Sequence, residues 1–224
     1  MHVEPGIEST SAAGAARSLL ALRHALADPL SSASLKLDLV ERRLAAEKLD
    51  VPALAERVRG VKVDLSAAGR ILDLLLRLAE ILAEPPRDAS LSELCALAGV
   101  PFQEDVATAR RLRLRRNATV EALRNVTLFM TSRTGGAMPP LARAASNDRS
   151  VSLSLLAQGT PESLGKDVLP SRLLNLPPGI EGAEGLFTAR AVLEADGGRL
   201  DMNVRDEGLV AEFSWLAPTE GTDS

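Results

Sequence analysis

Aromatic residues are nearly missing from this chain, which has one Trp, no Tyr and four Phe in 224 residues. A core with so few rings must be filled by Leu, Ala and Val, and that favours helices over a sandwich built of strands alone. Cysteine is scarcer still. The lone Cys95 permits no internal disulfide, which points to a reducing, cytoplasmic setting. No uncharged apolar run approaches the ~18 residues a membrane span needs. The opening "MHVEPGIEST" has neither a basic n-region nor an apolar h-region, so no secretion signal is expected. The "NAT" and "NVT" sequons then read as chance matches. Excess charge of one sign is missing too. Lys and Arg number 26 against 30 Asp and Glu, and a net charge of -4 argues against a general nucleic-acid binder.

What is present begins with two long helical patterns. From Ser9 to Leu49, the residues Leu19, Leu22, Leu26, Leu30, Ala33, Leu37, Val40 and Leu44 recur in alternating steps of three and four. "LDVP" breaks the run, because proline disfavours helix in the residue before it. Val58, Val61, Leu65, Ala68, Leu72, Leu75, Ala79 and Leu82 then repeat the spacing. Two such helices joined by a short turn read as an antiparallel hairpin. One hairpin cannot cover all of this apolar surface, so two are expected to pair as a homodimeric four-helix bundle.

"EPPRD" at 84–88 closes the hairpin and reads as a linker, dividing a domain of residues 1–86 from one of 87–224. Beyond it, "RRLRLRR" alternates as an exposed strand would, and "TVEALRNVTLFM" returns to helical spacing. "TSRTGGAMPP" and "LPPGIEGAEG" read as loops, and "VSLSLL" as a strand. "LFTARAVLEADGG" reads as a helix with glycine past its end. "GRLDMNV" and "LVAEFSWLAP" finish as strands, with Leu209, Ala211, Phe213 and Trp215 on one face. Strands and helices that interleave around antiparallel hairpins make an α+β fold.

His24 stands out on the first helix. It lies two residues after Leu22 and two before Leu26, so at ~100° per residue it points nearly opposite the seam, toward solvent. No second His, Cys or acidic cluster stands at ligand spacing, and no metal site is expected. Two readings remain, a solvated surface residue or an imidazole doing acid-base or nucleophilic work, for instance on phosphorus. Asp28, one turn on, either orients His24 or is simply a polar residue ahead of Pro29. Ser31 and Ser32 keep the face small and open. Arg110, Arg111, Arg113, Arg115 and Arg116 read as a charged strand edge that resists aggregation, since no aromatics interleave as a nucleic-acid platform requires.

"His24-Ala-Leu-Ala-Asp-Pro29" resembles the phospho-acceptor segment of two-component histidine kinases, usually His-Glu-Leu-Arg-Thr/Asn-Pro, in which the proline bends the helix. The family's next parts follow in order, a dimerising hairpin and then an ATP-binding α/β sandwich. The tail from Gly185 to Pro218 is similar to that sandwich's end. The resemblance spans roughly residues 10 to 218.

The departures from the family pattern matter most. The family's Asn-Leu-x-x-Asn-Ala uses its second Asn for magnesium, and here Asn125 is kept while Phe129 takes the second place. A phenyl ring offers no oxygen to a hard cation. The Asp-x-Gly-x-Gly that reads adenine becomes Ala157 and Pro161. The glycine-rich lid becomes Glu181-Gly-Ala-Glu-Gly185, with Ala183 in place of a glycine and two acids that repel polyphosphate. Ala25 replaces the base that activates the histidine for attack on ATP. The resemblance therefore implies a degenerate ATPase-like domain with no ATP or other cofactor. It further implies a histidine phosphotransferase that exchanges phosphoryl groups between His24 and response-regulator receiver domains. The rival readings are a catalytically inactive scaffold that regulates a partner and a divergent histidine kinase fragment.

Overall fold

The computed structural model describes residues 8–45, 50–103, 111–135, 138–147, 149–159, 183–205 and 208–216. The described residues fall into two compact units, those within 17–79 and a second made of 8–16 with those within 80–216.

The first unit is the body of the hairpin; the outer ends of its two helices, before Arg17 and after Ala79, belong to the second. Helix α1 runs from Glu8 to Leu44 and α2 from Val51 to Leu82. α1 continues through Pro29 rather than stopping there. Pro29 has no N–H for the carbonyl of Ala25 one turn back, a local loss that the long helix tolerates. At the start of α2 the Asp50 carboxylate accepts from the Ala53 backbone N–H at 3.0 Å, a side-chain N-cap. Leu54, Val61 and Ala68 are buried at seven-residue intervals along α2, and Leu22 and Ala33 are buried on α1. Lys36 Nζ donates to Asp64 Oδ2 at 2.7 Å and ties the two helices together.

The second unit is an α/β sandwich. Its elements are β1 (Arg87–Ala89), α3 (Leu91–Ala98), β2 (Phe102–Gln103), β3 (Leu112–Leu114), α4 (Arg116–Thr134), β4 (Leu141–Ser146), β5 (Ser150–Gln158), α5 (Ala183–Ala195), β6 (Gly198–Arg205) and β7 (Gly208–Leu216). Five strands form one sheet in the order β2-β4-β5-β7-β6, antiparallel except for the parallel pair β2–β4. β1 and β3 pair separately.

One face of the large sheet supplies the core. Val151, Leu153, Leu155 and Ala157 of β5 alternate inward, as do Leu209, Ala211, Phe213 and Trp215 of β7. Leu123, Val126, Phe129 and Met130 of α4 join the same core, with Leu186, Ala189, Val192 and Leu193 of α5. Gly208 opens β7 at φ 140, and a Cβ there would collide with the Ala157 carbonyl, so only glycine fits this close approach.

The expected linker is tied down. Both oxygens of Glu84 accept backbone N–H groups at the start of α4, from Asn117 and Ala118, each at 3.0 Å. That carboxylate caps a helix whose own N-cap residue, Arg115, makes no side-chain cap bond. Arg87 to Ala89 is already strand. The loop readings shorten as well. α4 extends to Thr134 inside "TSRTGGAMPP", and α5 begins at Ala183 inside "LPPGIEGAEG".

Candidate functional site

His24 sits on α1 with its side chain exposed, as its spacing from Leu22 and Leu26 requires. Asp28 lies one turn further and is also exposed. Ala27 and Ser31 are small and exposed on the same side, so the ground around the imidazole is open to a large partner. Ala25 is half-buried, and Ser32 is half-buried with its hydroxyl hydrogen-bonded to Asp64. An exposed imidazole nitrogen can attack an electrophilic phosphorus that another protein brings to it.

The sandwich residues aligned with nucleotide ligands are placed differently. Phe129 is 1% exposed and belongs to the core, with the Arg133 guanidinium 5.5 Å above its ring. Ala157 is 2% exposed at the end of β5, opposite Leu209 on β7. Asn125 is half-buried against the first turn of α5. A Cβ added to Gly185 would lie 3.0 Å from both Cβ and Cγ of Asn125, so α4 and α5 are in close contact there. Pro161 and Glu181 lie outside the described residues, as does the side chain of Ala183. Glu184 is exposed.

Other candidates resolve into structural roles. Cys95 is buried, and desolvation pushes its thiol up to about 12, which leaves no thiolate for chemistry. Arg111 and Arg113 are exposed at β3, as a charged edge requires. Arg116 instead pairs with Glu93. Arg115 binds the C-terminal ends of two helices. It donates to the Leu82 carbonyl at 3.2 Å and the Ala195 carbonyl at 3.1 Å, and it pairs with Asp196. Arg110 lies outside the described residues. Thr119 of the first sequon is buried, with its hydroxyl donating to the Arg115 carbonyl. Among the described residues no cluster of three or more His, Cys, Asp or Glu could hold a metal, and no helix is long and apolar enough to cross a membrane.

Sequence reasoning missed two groups, the Lys36–Asp64–Ser32 tie and the Arg115–Asp196–Glu84 cluster. Lys36 gave a signal, being a charge within an apolar stripe. Arg115 gave none, since its partners are 80 or more residues away or on backbone.

No family model matches the chain, and no curated protein matches it. Solved structures do. The catalytic domain of histidine kinase ThkA is similar over 60% of this chain and 97% of its own, at 19% identity and a TM-score of 0.45. Acinetobacter baumannii histidine kinase AdeS is similar over 87% of this chain and 98% of its own, at 10% identity and a TM-score of 0.48. A bacterial phosphotransferase is similar over 95% of this chain and 98% of its own, at 14% identity and a TM-score of 0.38.

Proposed function

We propose that this chain is a dimeric histidine phosphotransferase, or phosphorelay protein, working between receiver domains through His24 and without ATP. One contrast carries the reading. The histidine is exposed on an open helical face, whereas the two positions that would ligate magnesium and adenine, Phe129 and Ala157, are apolar side chains of the core. A carboxamide or carboxylate at either place would be a buried polar group.

In the proposed step, a neutral imidazole nitrogen of His24 attacks the phosphorus of a receiver's aspartyl phosphate. The N–P bond forms as the P–O bond to the aspartyl carboxylate breaks, and that carboxylate leaves. Because the donor is already a high-energy phosphate and the receiver supplies its own catalytic groups, Ala25 beside His24 is tolerable. Asp28 is placed to orient the imidazole from one turn away.

The dimer is part of the proposal. Leu30, Leu37 and Leu44 on α1 and Val58, Leu65 and Leu72 on α2 are each spaced by seven and stay between 42% and 56% exposed in the protomer. Two continuous apolar stripes left open on one hairpin support pairing with a second copy.

Incubation with a panel of phosphorylated receiver domains tests the function. The expected result is acid-labile phosphate on His24 from at least one receiver. Binding of a receiver without transfer favours the inactive scaffold instead, and labelling from ATP alone favours a kinase.

A further inference from the structure

The apolar surface of α1 is wider than α2 can cover. Pro29, Ala33 and Val40 share the side of Lys36 and are buried or half-buried, whereas Leu30 and Leu37 stand on a second stripe that stays open. Lys36 and Leu37 are neighbours in sequence, so these stripes lie about 100° apart around the helix. Burial of Leu, Ala and Val is non-directional and does not decide which stripe meets α2.

A directional contact does decide it. Lys36 Nζ donates to Asp64 Oδ2 at 2.7 Å, and the Ser32 hydroxyl hydrogen-bonds the same carboxylate. Both contacts hold Asp64 below the usual carboxylate range, the Lys36 bond most strongly. Lys36 also packs against α2 at Gly60, where a Cβ would stand in ordinary van der Waals contact, 3.5 Å from Cδ and Nζ of Lys36. Turning Leu37 toward α2 would take Lys36 away from Asp64. It would also swing His24 by the same angle, toward the flank that now carries Leu30 and Leu37. A single part-buried ion pair adds only modest stability, but it is specific in direction.

We propose that Lys36, Asp64 and Ser32 are positioning residues for His24, selecting the face of α1 that packs on α2 and so the direction in which the imidazole points. The functional half of this inference rests on the phosphotransfer reading, and the structural half does not.

Distances are read from spin labels on cysteines at Ala27 and Arg70 of the full chain, both exposed sites, with labelled protein diluted by unlabelled, and phosphate acceptance is read on unlabelled protein because Ala27 borders His24. Cys95 is buried and stays unlabelled. A 100° turn moves a point at the side-chain radius by about 8 Å. Lys36→Met should shift or broaden the label distance on that scale and slow phosphate acceptance at His24 about tenfold. The melting curve should stay cooperative. The charge-swapped pair Lys36→Asp with Asp64→Lys should restore both readouts. An unchanged distance in Lys36→Met, or a swapped pair that fails to recover it, overturns the proposal. If the wild type accepts no phosphate from any receiver, the proposed function fails while the distances still decide this inference.

Discussion

Two residues show how differently single side chains matter here. The Asp196 side chain is 1% exposed, pairs with Arg115 and also accepts the Arg115 backbone N–H at 3.0 Å. Removing one partner of a buried pair leaves the other uncompensated. Asp196→Ala should therefore destabilise the sandwich by about 3 kcal/mol, read from its denaturant transition. Burial pushes the Asp196 carboxyl up, against the opposing pull of Arg115. A folded value raised above the unfolded one means that stability from this group is full below 3.8 and declines as pH rises through the folded value. The stability of the wild type relative to Asp196→Asn should fall across that window. His24 is the opposite case. It is exposed, so His24→Ala should leave the melting temperature nearly unchanged. It should nevertheless abolish phosphate acceptance, and a mutant that still relays phosphate would assign the chemistry elsewhere.

At the scale of elements, alternating steps of three and four located both long helices but did not say which residues face each other. On α2 the list from Val58 to Leu82 mixes two faces. Val61 and Ala68 are buried inside the protomer, while Val58, Leu65 and Leu72 are half-exposed. A wide Leu and Ala surface has no internal marker for its partner, and the marker here was a charge, Lys36. Strands β5 and β7 were legible because large residues alternate along them. β4, "LARAAS", was not, because its inward residues are the alanines Ala142 and Ala144. β1 and β2 are too short to show a period. The exposed histidine was legible from angle alone. The same two faces make a paired prediction. Leu72→Glu should dissociate the proposed dimer while the hairpin stays helical, as light scattering and circular dichroism would show. Ala68→Glu should instead unfold the hairpin, since it buries an unpaired charge.

For the whole molecule, the proposed function requires a sandwich that holds its fold without nucleotide. Phe129 and Ala157 pack in one core with Phe213 and Trp215, whose rings stack at a centroid distance of 6.2 Å. Restoring one ligand at a time would place a polar group in that core, so single substitutions cannot rebuild the site. On the proposed reading the sandwich is a folded body that accompanies the histidine-bearing hairpin, with no nucleotide contributing to its stability. Ligands that bind the native state raise the melting temperature by mass action. Millimolar ATP with magnesium should therefore leave the melting temperature unchanged, and calorimetric titration should show no binding heat. The double variant Phe129→Asn with Ala157→Asp should melt well below the wild type, because it buries two polar groups, and should gain no ATP binding. A micromolar dissociation constant for ATP in the wild type would reverse the argument. Phe129 and Ala157 would then be tolerated neighbours of a working nucleotide site, and His24 would be the target of the chain's own kinase.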